Sequence, residues 1–217
     1  MNIPKLIHAV FVKNESHCIS RMLDSVLPFV SESYIMIDDK TTDNTAEIVR
    51  SYGCHIKYYT FNNFGKAQNT MYAWVSGKSD WIFGLAPDET ISKELGAKIV
   101  DTVTRFHNTD IDSVFFSRIH WHDLEMTQPK YWSYPDWQQR LIRNDYPRIH
   151  HVNYVHESVV GVRRAERIQM DINHFNLYWK SRIDYNWDEM HALYKNMTDR
   201  SHAENGKDIW PSELDLK

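Results

Sequence analysis

Two pairs of acids close two apolar runs. Tyr34-Ile35-Met36-Ile37 leads straight into Asp38-Asp39, and the run from Trp81 to Leu85 leads through Ala86-Pro87 into Asp88-Glu89. Further on, His156-Glu157 precedes another apolar run and His174 ends a fourth. Runs of this length and composition read as buried strands. If the first two strands are parallel, both acid pairs emerge at one carboxyl edge, where open α/β sheets bind ligands. Clustered carboxylates there suit a hard divalent cation that holds phosphate oxygens. Each signal also has a plainer reading. Asp38 and Asp39 could cap the helix that follows, Asp88-Glu89 could favour a helix N-terminus, and a His-Glu pair could be structural or exposed.

The elements that must position these residues follow from periodicity. Leu6 to Val12 reads as a strand, and Lys13 to Ser16 can cap a helix marked by Ile19, Met22, Leu23 and Val26. Pro28 stops that pattern. Strand 34–38 precedes a helix over 43–52, with Gly53 as its terminating residue. His55 to Phe61 reads as a third strand and Phe64-Gly65-Lys66 as a turn. Ala67, Met71, Trp74 and Val75 mark the next helix. Trp81 to Leu85 is a fourth strand, and Ser92 can cap a helix with Leu95, Ile99, Val103 and Phe106 on its apolar face. This β-α-β-α-β-α-β-α order predicts a largely parallel sheet with helices on both faces.

After residue 110 the pattern changes. Ser113 to Ile119 reads as a strand, and residues 120–137, rich in His, Trp, Tyr and Pro, read as a long ordered loop of the kind that often serves function. Arg140 to Arg143, Ser158 to Val162 and Ile168 to Ile172 are short strands. Ile183, Trp187, Met190, Tyr194 and Met197 mark a C-terminal amphipathic helix, followed by a polar tail from about 201.

Composition bounds the function classes. A chain of 217 residues is expected to form a single domain over 1–217. The formal net charge of -4 argues against nonspecific nucleic-acid binding. Cys18 and Cys54 give no disulfide framework, which points to a reducing compartment. No signal peptide and no transmembrane segment is read, so the expected location is cytoplasmic.

Taken in order, the motifs resemble a family 2 glycosyltransferase with the GT-A fold, over about residues 5–180. Val12-Lys13-Asn14-Glu15 matches the end of the family's first strand. Ile37-Asp38-Asp39-Lys40-Thr41-Thr42-Asp43 is similar to its Val-Asp-Asp-Gly-Ser-Thr-Asp segment, and Gly65-Lys66-Ala67-Gln68-Asn69 to the segment opening its third helix. Leu85-Ala86-Pro87-Asp88-Glu89 takes the place of the Asp-x-Asp metal motif. Arg140 to Arg143, His156-Glu157 and His174 match less specific later features. Two departures stand out: Ala86 replaces the first acid of Asp-x-Asp, and Lys40 replaces the usual Gly.

The resemblance implies a GT-A-type, Rossmann-like, mainly parallel sheet, with a nucleotide-binding half (1–110), a smaller antiparallel acceptor-side half (111–180) and a C-terminal helix and tail (181–217). It implies inverting transfer of a sugar from a nucleotide-diphosphate sugar to a hydroxyl or amine of a glycan, lipid-linked or protein acceptor. Val12, Asn14, Glu15, Asp38, Asp39, Lys66, Asn69 and Asp88 would bind the donor. Asp88 with His174 would hold Mn2+ or Mg2+. Glu157 would be the base, with Glu89 in reserve and His156 orienting Glu157. Trp121, Tyr131, Trp132 and Trp137 would line the acceptor side, or else form a small hydrophobic cluster under a loop. Two other readings stay open: a non-catalytic nucleotide-sugar binding module, and a metal-dependent hydrolase built on His120, His122, Asp123, His150, His151 and His156.

Overall fold

The computed structural model describes residues 3–131, 134–154, 158–181 and 187–205. Strands β1 (Leu6–Val12), β2 (Glu32–Asp38), β3 (His55–Tyr59) and β4 (Trp81–Phe83) are joined through α1 (Ile19–Val26), α2 (Thr45–Ser51) and α3 (Phe64–Val75). β1 pairs in parallel with β2 and β4, and β2 with β3. Their carboxyl ends therefore share one edge. The side chains of β1 and β2 alternate between two cores, as strands covered on both faces require. Val10, Val12, Ile35 and Ile37 pack with α1, α2 and α4 (Lys93–Phe106). Ile7, Ala9, Tyr34 and Met36 pack with α3.

The second half extends the same sheet. A two-residue strand β5 (Glu89–Thr90) precedes α4, which the Ser92 side chain caps by accepting the Leu95 amide at 3.1 Å. β6 (Ile111–Trp121), β7 (Pro129–Lys130) and β8 (Gln138–Arg143) follow. A separate hairpin joins β9 (His150–Val152) to β10 (Ser158–Val160). β11 (Arg164–His174) returns beside β6. The sheet order is β3-β2-β1-β4-β8-β6-β11-β5, with β7 on β6. β8 runs antiparallel to both β4 and β6, whereas β6 and β11 are parallel. Helices α5 (Asn176–Lys180) and α6 (Trp187–Asn205) end the described chain.

Three expectations need correction. Phe64-Gly65-Lys66 is the first turn of α3 and not a separate turn, because the Asn63 side chain accepts the Lys66 amide at 2.8 Å and starts the helix there. The segment 120–137 is not a continuous loop: His120 and Trp121 extend β6 and pair with β7. The C-terminal helix continues past 201 to Asn205.

Candidate active site

A cleft of about 450 Å³ lies at the carboxyl edge, between the ends of β1 and β2, the segment after β4, and helices α5 and α6. Asp38, the last residue of β2, lines it and is buried. Its Oδ1 accepts the Lys40 amide at 3.0 Å, and Lys13 Nζ lies 3.8 Å from Oδ2. Asp39 points elsewhere: it is exposed, accepts the Thr60 hydroxyl, and does not line the cleft. Lys40 is not among the residues at positive φ, so this turn does not need the glycine of the family pattern.

The first two motifs are knitted together at the cleft floor. Asn14 takes φ 54°, a left-handed conformation that Asn tolerates, and its Oδ1 accepts the Thr42 amide at 2.8 Å. The Glu15 amide donates to Thr45 Oγ1 at 2.8 Å, and Asp43 accepts the Ser16 amide at 3.0 Å. Val12, Asn14 and Glu15 all line the cleft. Burial, with the charges of Asp88 and Asp43, pushes the Glu15 carboxyl up to about 8.

Asp88 lines the same cleft from the other side and heads a chain of polar contacts. Its Oδ2 lies 3.2 Å from His174 Nε2, His174 Nδ1 lies 2.8 Å from His120 Nδ1, and His120 Nε2 lies 3.0 Å from Asp136 Oδ2. An ionised Asp136 can only accept, so His120 Nε2 donates to it. A neutral His120 then accepts at Nδ1 from His174, leaving a lone pair on His174 Nε2 facing the Asp88 carboxylate. Two such acceptors so close call for a cation between them. A divalent ion fits: one carboxylate and one imidazole oriented by a second residue make a recurring donor set, and 3.2 Å is near the spacing of adjacent ligands at bond lengths of about 2.1 Å. Burial pushes the Asp88 carboxyl up, but the His174 contact more than offsets it and holds it below the ordinary value.

Glu89 requires a correction as the reserve base. It is fully buried, its Oε1 accepts from Arg118 Nη1 at 3.0 Å and Arg140 Nη2 at 2.6 Å, and its Oε2 accepts from Arg140 Nε and the Ala86 amide, both at 3.0 Å. Burial alone would raise its pKa; the two guanidinium charges win and hold it to about 2. Such a carboxylate is a weak base with its lone pairs in use, and it anchors the segment 86–89 to β6 and β8.

Lys66 and Asn69 are also outside the donor cleft. Lys66 Nζ lies 5.1 Å over the Tyr154 ring, and the Asn69 amide binds the backbone of His151. On the expected acceptor side, Trp121 donates to Asn173 at 2.9 Å, Trp137 lies under Arg167, and Tyr131 is exposed. None of the three lines the cleft. Trp132, His156 and Glu157 fall outside the described residues. The hydrolase constellation does not assemble: His120 contacts His174, Asp123 accepts the Thr127 and Gln128 amides, and His151 packs on Tyr72. Among the described residues, the one group of three whose ligand atoms lie within 4.8 Å is Glu15, His17 and Cys18.

The sequence model described as Glycosyl transferase family 2 matches residues 9–197. The chain belongs to glycosyl transferase family 2. Uncharacterized glycosyltransferases of Rickettsia prowazekii and Rickettsia felis are 28% and 31% identical to it over 101 residues, 46% of this chain. Those matches span only about a third of the relatives' length, 33% and 34%. Glucosyl-3-phosphoglycerate synthase from Mycobacterium tuberculosis, in complex with Mn2+, UDP and phosphoglyceric acid, superposes with a TM-score of 0.61 at 12% identity, covering 95% of this chain and 80% of that one. The same enzyme with Mg2+ and UDP gives a TM-score of 0.61 at 11% identity, covering 95% and 81%. At such identities the likeness concerns the fold, which is GT-A.

In this family 2 chain, sequence reasoning missed the cleft's far wall. His17, Phe61, Asn176, Trp179, Lys180 and Tyr194 all line it. Tyr194 carried a signal, the amphipathic stripe of the last helix. α5 carried none: its five residues are too few for a period to register.

Proposed function

We propose that the chain is an inverting glycosyltransferase that moves a sugar from a nucleotide-diphosphate sugar to a hydroxyl or amine of a glycan, lipid-linked or protein acceptor. The observation that carries this reading is that Asp38 and Asp88, the latter paired with His174, face one cleft at the carboxyl edge of the sheet. Asp38 would accept hydrogen bonds from the base or ribose, between Phe11 and Phe61, whose rings stack at 5.4 Å. Asp88 and His174 would hold Mn2+ or Mg2+, which supplies positive charge against the leaving diphosphate. Lys13 and Lys180 line the cleft and would add to it.

Glu157 is assigned as the base. It would take the proton of the acceptor hydroxyl as that oxygen bonds to the anomeric carbon, while the bond to the diphosphate breaks and the diphosphate leaves with the electron pair. Glu89 positions the Asp88 segment. Both cysteines are free, in keeping with a cytoplasmic site of action. No described helix is long and apolar enough to cross a membrane.

Incubation with a panel of UDP-, GDP- and dTDP-sugars and Mn2+ tests the reading. Release of nucleoside diphosphate from one donor, and an inverted anomeric centre in the product by proton NMR, are expected. Nucleotide binding without release from any donor would favour the non-catalytic binding module.

A further inference from the structure

A second cleft, of about 390 Å³, opens beside the first and shares Phe11, Phe64 and Pro87 with it. Its remaining walls come from α3, β8 and the β9–β10 hairpin. Ala86, standing where the family pattern has its first acid, lines this second cleft and not the donor cleft. Its polar lining is Gln68, Gln138, Gln139, Arg140 and His151.

His151 is the telling residue. Both its ring nitrogens are buried and neither has a hydrogen-bond partner. Buried polar atoms are nearly always satisfied, so two orphans on one ring bordering a cleft call for a ligand. Burial, reinforced by the neighbouring His150, holds the ring's pKa down to about 3. A neutral imidazole offers one donor and one acceptor, which is what sugar hydroxyls can meet. The one cation of the lining, Arg140, gives two hydrogen bonds to Glu89 and is neutralised by it. The other polar groups are amides. A cleft with amides, a neutral imidazole and aromatic walls has nothing to offset an anion, and suits a ring with an apolar face and polar edges.

We propose that this second cleft is the acceptor subsite and takes an uncharged sugar ring, with hydroxyls bonded to His151 and Gln68 and the apolar face against Phe11 and Phe64. The assignment rests on the transferase reading above. It places the acceptor next to the donor diphosphate across Pro87, beside the hairpin whose connection carries Glu157.

Saturation-transfer NMR on the full chain, with UDP and Mn2+ present, tests this directly. The probes are methyl β-glucopyranoside, methyl β-galactopyranoside, methyl α-mannopyranoside and N-acetylglucosamine, with 3-phosphoglycerate as the anionic comparator. At least one neutral sugar is expected to bind. Gln68→Ala and His151→Leu are each expected to weaken it by about three- to tenfold, the loss of one neutral hydrogen bond, with UDP affinity unchanged. Gln68 is a half-buried helix residue, so its variant remains informative even where the His151 variant fails to fold. A protein that binds UDP but no neutral sugar would overturn the proposal, as would binding insensitive to Gln68→Ala, or displacement of the sugar by 3-phosphoglycerate. Sugar binding without UDP binding would uphold the subsite and contradict the transferase reading instead.

Discussion

Asn69 and His151 are joined by two hydrogen bonds: Asn69 Nδ2 donates to the His151 carbonyl oxygen at 2.8 Å, and the His151 amide donates to Asn69 Oδ1 at 2.7 Å. Asn69 thus serves β9 as a neighbouring strand would, fixing the hairpin to α3. Gly65, one helical turn earlier, completes the contact, because a Cβ there would run into the Asn153 carbonyl oxygen. The Gly-x-x-x-Asn spacing is therefore a docking device for the hairpin, and it aims His151 without touching the donor.

Asn69→Ala is expected to destabilise the fold by about 1–3 kcal/mol, because it leaves a buried amide and carbonyl unpaired. Gly65→Ala should cost more, since the obstacle is backbone. Urea unfolding checks both; a Gly65→Ala protein as stable as the wild type would contradict the docking role.

Glu89→Gln separates an anchor from a base. Removing one charge from a buried network with Arg118 and Arg140 is expected to cost about 3–5 kcal/mol of stability. If Glu89→Gln unfolds like the wild type and loses only turnover, the base assignment returns to Glu89.

Much of this arrangement was legible in the sequence. The four early strands, their order and the acids at their ends followed from apolar runs and turn residues, because parallel strands buried on both faces read as continuous apolar segments. Asp88 and His174, 86 residues apart, were paired by resemblance, and the structure brings them together. What stayed hidden was direction. Asp38 and Asp39 are adjacent, so the strand's period of two sends them to opposite sides, and the sequence does not say which meets the ligand. Glu89 and Asn69 were misread because their partners, Arg140 and the His151 backbone, lie 51 and 82 residues away. The aromatic segment 120–137 suggested a cleft lining; its Trp121 is instead taken up by Asn173 on the neighbouring strand.

His8 gives the fold a pH dependence. It is fully buried, with Nδ1 at 2.8 Å from the Ser33 hydroxyl and Nε2 donating to the Leu85 carbonyl at 3.1 Å. Burial, partly opposed by the Leu85 hydrogen bond, lowers its pKa from 6.5 to about 4. As pH falls below 6.5 the unfolded chain takes up the proton before the folded one does. Stability is intact above that value and is lost between pH 6.5 and 4, by up to about 3 kcal/mol. Urea titrations at pH 7, 5.5 and 4.5 are expected to show a shallower pH dependence for His8→Leu than for the wild type; identical slopes would rule His8 out as the source.

Glu157→Gln keeps the side chain's shape and removes its proton acceptor. It is expected to leave donor binding unchanged and lower turnover by about 10²–10⁴-fold. Wild-type turnover in this variant would make Glu157 structural.

Calorimetric titration of UDP tests the donor site most directly. In Mn2+ the wild type is expected to bind, and a chelator should abolish or strongly weaken the binding. Asp88→Asn should behave in Mn2+ as the wild type does in chelator. Asp38→Ala should weaken binding about several-fold, the loss of a net 0.5–1.5 kcal/mol hydrogen bond, whereas Asp39→Ala should not. UDP binding of equal strength with and without metal, unchanged in both Asp38→Ala and Asp88→Asn, would contradict the placement of the nucleotide in this cleft.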